Sequence, residues 1–175
     1  MTRAPVHFAF LPSIVLLTVG LAGCNSAPKS APAPKEPAKP AVTYPARPTV
    51  SAPQFTLFHF DNDTATLVVK EDATDDEIES LVWQVRDAAR SSTLPSLKIK
   101  APKGNDFRAH IYRGKKCAAE KYAPGEPPCG GSYHGAGDYT LSKLPSKLWD
   151  RGVLHVSGDK EIELWDTEAP YTATK

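Results

Sequence analysis

The stretch TDDEIESLVWQVRDAAR, Thr74 to Arg90, decides the fold, because it carries the start, the periodicity and the end of an amphipathic helix. Thr74 and Glu77 have the Thr-x-x-Glu spacing of a capping box. Acidic residues lie in the first turn and arginines near the last, as the helix dipole favours. The apolar residues recur at intervals of three and four and share one face: Ile78, Leu81, Val82, Val85, Ala88 and Ala89. We therefore predict one helix over about residues 74–91, with a face that packs on a sheet.

Strand patterns lie on both sides of this helix. Short β-branched or alternating runs, bounded by turn residues, predict strands over 55–60, 64–70, 107–113, 152–156 and 161–165. Residues 115–148 are dense in Gly and Pro, so we expect them to be mostly loop. The order β-β-α-β-loop-β-β predicts an α+β fold in which one helix packs across a mainly antiparallel sheet.

The folded part is expected over residues 54–170, which is long enough for a single domain with one core. From residue 54 to the end there are 16 basic and 19 acidic residues, a net charge of −3, although the whole chain has a net charge of +1. This acidic balance argues against general nucleic-acid binding, which needs a basic surface. Residues 171–175 are expected to form a loose tail.

A proline-rich segment precedes this domain. Residues 27–53 consist mainly of Ala, Pro, Lys, Ser, Thr and Val, with eight prolines. Proline fixes φ and lacks a backbone donor, so neither helix nor sheet is expected there. We predict that residues 24–53 form a solvated, semi-extended tether.

The N-terminus has the layout of an export signal. Arg3 supplies a positive charge, residues 8–19 are apolar, and the small residues Ala22 and Gly23 precede Cys24. The apolar run is shorter than the roughly 20 residues that a membrane-spanning helix needs. An ordinary cleaved signal peptide would show the same layout, with Cys24 incidental.

The motif Leu21-Ala22-Gly23-Cys24 resembles the lipobox of bacterial lipoproteins. The resemblance implies that Cys24 is acylated, that residues 1–23 are removed as a lipoprotein signal peptide, and that the protein is held on a membrane by this lipid. Asn25, which is not Asp, implies sorting to the outer membrane where the cell has two membranes. The expected location is therefore the cell envelope, on the periplasmic side or at the outer membrane.

The two remaining cysteines, Cys117 and Cys129, are expected to pair. An exported domain with an even number of cysteines usually forms a disulfide, and this one would staple the long loop. A metal site with His110 or His134 is the alternative, but the spacing lacks the close cysteine pairs of zinc sites. The sequence favours the disulfide.

The segment 129–139 is the best local candidate for a recognition site. It combines glycines, which allow close approach of a ligand, with imidazole, carboxylate and phenol groups. Trp83 lies on the polar side of the predicted helix, and exposed tryptophans anchor interfaces; the alternative is that the long loop folds over Trp83. The candidate recognition surface comprises Trp83, Tyr133, His134, Asp138 and Tyr139.

No catalytic residue, metal ligand or cofactor is predicted. Ser132, His134 and Asp138 are the residue types of a hydrolytic triad, but no Gly-x-Ser-x-Gly motif surrounds the serine. The glycines of this loop do not lead from a strand into a helix, so no phosphate-binding fingerprint is present. The remaining histidines of the domain fall on predicted strands without metal-ligand spacing, and half-exposed strand faces account for them: His59, His110 and His155.

These features predict a lipid-anchored envelope protein that acts as a non-enzymatic binding or structural module for a protein or a cell-wall component. Two alternatives stay open: an envelope hydrolase that uses the loop 130–139, and an inhibitor or immunity lipoprotein. The segments Asp75–Trp83, Tyr112–Cys117 and Tyr133–Tyr139 are similar to small exported bacterial domains of uncharacterised function, which implies no activity.

Overall fold

The computed structural model describes residues 41–119, 122, 129, 134–144, 147–156 and 160–172, without the side chains of 144, 147 and 148. The predicted signal peptide, Cys24 and the first part of the tether lie outside the described residues. So do Ser132 and Tyr133 of the predicted recognition loop. The compact unit that contains all the elements begins at Ala41.

One sheet and one long helix make up the described fold. The strands lie in the sheet in chain order, and every neighbouring pair is antiparallel except β2 and β3, which are parallel. The long helix α1 connects that parallel pair, as a parallel crossover requires. The elements are β1 Thr56–Asp61, β2 Thr64–Val69, α1 Asp75–Arg90, a 3-10 turn Leu94–Leu97, β3 Asp106–Arg113, α2 Lys115–Ala118, β4 Gly137–Leu144, β5 Lys147–Val156 and β6 Lys160–Glu163. The predicted α+β class is confirmed.

Helix α1 begins where its capping box predicts. The Thr74 hydroxyl accepts from the Glu77 backbone N–H at 3.2 Å, and the Glu77 carboxylate accepts from the Thr74 N–H at 2.8 Å. The predicted apolar stripe is buried, with Ile78, Leu81 and Val82 fully inaccessible to solvent. This stripe packs on β3, β4 and β5 and forms the core.

The sheet has two unlike faces because successive side chains of a strand point to opposite sides. The face toward α1, which we call the proximal face, carries buried apolar residues such as Ala109, Ile111, Tyr139 and Leu141. We call the opposite side the distal face. By strand register and alternation, its residues on β2 to β6 include Thr66, Arg108, His110, Asp138, Thr140, Ser142, Trp149, Arg151, Val153, His155, Glu161 and Glu163.

The prediction that residues 115–148 are mostly loop is wrong for β4 and for the start of β5. A Cβ added at Gly137 would lie 2.9 Å from a methyl group of Ile78, so this glycine lets α1 approach the sheet closely. After Gly137 the chain alternates, with Tyr139 buried on the proximal face and Asp138 on the distal face. Gly137, which suggests a loop in the sequence, is therefore needed for the close packing of α1 on strand β4.

The last part of the predicted tether, residues 41–53, belongs to the compact unit. The Arg47 guanidinium lies 2.8 Å from the Asp87 carboxylate and 5.2 Å from the ring centre of Trp83. The Ser80 hydroxyl donates to the Val50 carbonyl at 2.8 Å. Residues 41–53 therefore pack in part against α1.

The C-terminal end of the described chain also contacts α1. Tyr171, predicted to begin a loose tail, lies under the Arg90 guanidinium, 4.3 Å from its ring centre, and its hydroxyl contacts the Asp87 carboxylate at 3.4 Å. Residues 173–175 lie outside the described part of the chain.

The predicted disulfide between Cys117 and Cys129 is present, with the two Cα atoms 5.6 Å apart. Tyr122, inside the closed loop, lies on the distal face of the first two strands. Its ring centre is 4.0 Å from that of His59, and its hydroxyl is 3.1 Å from the Thr66 hydroxyl. Tyr122 thus packs at the β1–β2 end of the distal face.

Candidate functional site

Three side chains from three strands meet on the distal face, and we call them the His–Asp–His cluster. Asp138 on β4 lies between His110 on β3 and His155 on β5. One carboxylate oxygen, Oδ1, is 2.8 Å from Nδ1 of His110, and Oδ2 is 2.8 Å from Nε2 of His155. Register explains the arrangement, because His110 pairs directly with Asp138 and His155 is the diagonal neighbour on the next strand.

A fourth strand adds charge around this cluster. Glu161 on β6 pairs in register with His155, and its carboxylate is 3.8 Å from Nδ1 of that imidazole. Arg151, on the same face, binds Glu161 at 3.1 Å and Glu163 at 3.0 Å. The hydrogen bond to Asp138 raises the pKa of His155, with support from the charges of Asp138 and Glu161 and opposition from burial and Arg151.

The cluster is partly open to solvent, so a ligand can reach it. The exposed fractions of the side chains are 26% for His110, 24% for Asp138 and 16% for His155. Histidine is the side chain that changes charge near neutral pH. In the described part of the chain, no group of three or more His, Cys, Asp or Glu residues is placed to hold a metal ion.

Trp149 is the most exposed aromatic side chain among the described residues, at 48%. It lies on β5 opposite Ser142, whose hydroxyl donates to the Asp106 carboxylate at 2.6 Å. Both residues are on the distal face. Trp149 is not among the predicted recognition residues, because it directly follows the segment 115–148 that is predicted to be loop and precedes the predicted strand 152–156. A partly exposed tryptophan is the residue type most often found at the centre of binding surfaces.

Trp83, the tryptophan that the sequence singled out, lies on the other side of the sheet. Its ring packs 4.5 Å from that of Trp165 and is contacted by the guanidinium groups of Arg47 and Arg86 at 5.2 and 5.0 Å. Its indole N–H donates to Glu79 at 3.3 Å. Trp83 is therefore half-buried by residues 41–53 and the C-terminal segment, and it shares no surface with Asp138.

The other predicted recognition residues have separate positions. Tyr139 is fully buried on the proximal face, where burial and the nearby charge of Asp150 raise its pKa, so it belongs to the core. His134 is exposed, and its Nε2 lies 2.8 Å from the Cys129 carbonyl oxygen. Of the described residues in the predicted surface, Asp138 is the one that lies in the cluster. The partners of Asp138 are His110 and His155, which the sequence analysis assigns to half-exposed strand faces without a functional role.

A groove of about 500 Å³ lies on the α1 side of the sheet. It is bounded by residues 52–57, Gln84 and residues 96–98. Its charged lining residue is Lys98, and it contains none of the residues of the His–Asp–His cluster. The groove is therefore separate from the His–Asp–His cluster.

No protein-family model, curated protein or solved structure matches the chain. Among the described residues, no helix has both the length and the apolar character needed to cross a bilayer. The arguments for function therefore come from the residues themselves.

Proposed function

We propose that the protein is a lipid-anchored module of the cell envelope that binds a protein or cell-wall partner through its distal face. The observation that carries this proposal is that the half-exposed His–Asp–His cluster and the exposed Trp149 lie on the same side of the sheet. The opposite side is filled by α1 and its core. A surface with an aromatic anchor and nearby polar groups has the composition of a binding site.

The anchor is the second part of the proposal. The lipobox-like motif supports acylation of Cys24 after removal of residues 1–23, and Asn25 supports outer-membrane sorting in a cell with two membranes. One acyl chain gives only marginal membrane binding, so the several chains of a bacterial lipoprotein would make the attachment stable. The proline-rich residues 24–40 would then separate the folded unit from the lipid.

A hydrolase is the second candidate, and one contact favours it. His110 turns Nδ1 toward Asp138, which is the arrangement that orients a catalytic imidazole in hydrolytic triads. A hydrolase would therefore use His110 and not His134, whose contact is the Cys129 carbonyl. Loss of a hydrolytic activity in an Asp138→Asn variant that still captures its partner would favour this candidate over a binding module.

Site-directed photocrosslinking in intact cells tests the proposal. We would place p-benzoylphenylalanine at position 108, an exposed site on β3 two residues before His110, and at position 76, an exposed site on α1. We expect a discrete crosslinked product from position 108 and none from position 76. A Cys24→Ser variant should release the protein from the membrane fraction and lower the yield at position 108.

Equal yields from both positions, or no product from either, would contradict binding through the distal face. Membrane retention of the Cys24→Ser variant would contradict the lipid anchor. The two parts of the proposal therefore fail separately.

A further inference from the structure

We propose that the His–Asp–His cluster is a proton-controlled clasp that fixes the side chains of the distal face when His155 is protonated and loosens them when it is neutral. This inference goes beyond partner binding, because it concerns how the folded protein responds to pH. It rests on a geometry in which one carboxylate accepts from imidazoles on both neighbouring strands.

The clasp acts on side chains, because the strands themselves are held by backbone hydrogen bonds in continuous register. While His155 is protonated, its bond to Asp138 joins two opposite charges. A neutral imidazole still donates from one nitrogen to the ionised carboxylate, but the attraction between two opposite charges is then lost. Loss of the proton therefore weakens the bond between Asp138 and His155 and leaves the side chains of the cluster less firmly held.

Charged side chains on the described strands β4, β5 and β6 lie near the His155 imidazole. Asp138 on β4 and Glu161 on β6 favour the charged imidazole. Arg151 on β5 opposes it, although its guanidinium is bound to Glu161 and Glu163. His110 on β3 contacts the other oxygen of the Asp138 carboxylate.

The direction of the pH effect follows from the pKa of His155, which is raised in the folded protein. In the unfolded chain a histidine titrates near about pH 6.5. A raised folded-state pKa means that the stabilisation is fully present below that pH and is lost as the pH rises through the folded-state value. The clasp is thus closed in mildly acidic surroundings and opens as the pH rises through the folded-state pKa of His155.

The test uses the full chain with Cys24→Ser, so that no lipid is attached, and no partner is added. We would measure the titration of each histidine by NMR and the melting temperature from about pH 6 to about pH 9. We expect the melting temperature to fall across this range, with a midpoint that matches the titration of His155. In Asp138→Asn the His155 midpoint should fall and the pH dependence of melting should diminish.

His134→Gln is the matched control, because this imidazole is exposed and lies outside the cluster; it should keep the wild-type profile. His155→Gln provides a second variant if Asp138→Asn does not fold. A wild-type melting temperature that is constant over this range, or a fall that persists in both cluster variants, would overturn the clasp. Because no partner is present, this result is independent of the crosslinking experiment.

Discussion

Replacement of Asp150 by Ala is expected to lower the free energy of unfolding by about 3–5 kcal/mol, because it leaves a buried arginine without its counter-ion. Asp150 and Arg86 are 3% and 6% exposed, and Nε of Arg86 lies 3.1 and 3.3 Å from the two carboxylate oxygens. Arg90 lies 3.8 Å away on the same carboxylate. The Arg86 guanidinium also stacks 4.0 Å from the ring centre of Trp165, so the unpaired charge has no easy route to water.

Urea denaturation of Asp150→Ala measures this loss, with Glu163→Ala as the control. Glu163 also pairs with an arginine at 3.0 Å, but its side chain is 45% exposed, so its removal should cost at most about 1 kcal/mol. Equal effects of the two substitutions would show that Asp150 is not paired in a buried site.

Replacement of Gly152 by Ala is expected to destabilise the protein by about 3 kcal/mol through overpacking. A Cβ at this position would lie 2.1, 2.5 and 2.6 Å from atoms of the Trp165 ring. That ring cannot simply move away, because it packs against Trp83 at 4.5 Å and Tyr139 at 6.2 Å and donates from its indole N–H to the Asp150 carbonyl. One added methyl group therefore disturbs the aromatic layer between α1 and the sheet.

Gly104→Ala is the control for this effect. A Cβ added at position 104 would lie 3.0 Å from the terminal Oδ2 of the Asp63 side chain, and not against a fixed ring. Thermal melts of the two variants should differ clearly, with Gly104→Ala close to wild type. A Gly152→Ala protein that melts with the wild type would contradict the packing of Trp165 on β5.

The helix and the disulfide could be predicted from the sequence because their signals are local or compositional. The capping box joins Thr74 to Glu77 within one turn, and the residues of the apolar stripe recur every three or four positions. Strand β4 could not be predicted in the same way. Gly137 is required by the methyl groups of Ile78 on a helix far away in the chain, so its local pattern reads as a loop.

The cluster was missed for a related reason. Asp138, His110 and His155 come from three separate segments, and only the strand register brings them together. Because strand β4 is not predicted from the sequence, Asp138 cannot be placed beside either histidine in advance.

The sequence left open whether Trp83 is exposed, because a helical pattern gives the polar side of a helix but not what covers it. The predicted polar side of α1 is covered by residues 41–53 and by Trp165, which bury Trp83 in part. Residues 41–53 form no helix or strand, but side chains such as Arg47 still pack on the domain. Trp149 remains exposed because β5 turns it to the distal face.

Binding through the distal face is tested most directly by the Trp149→Ala substitution in the crosslinking experiment at position 108. Truncation of an aromatic anchor costs about 2 kcal/mol or more of binding, so the yield of the crosslinked product should fall at least about tenfold. Val50→Ala is the matched control, because Val50 is 43% exposed and lies in the segment that packs on α1. A lower yield with Trp149→Ala alone is the predicted result. If Trp149→Ala changes neither the yield of the crosslinked product nor the melting temperature, the distal face is not the binding surface.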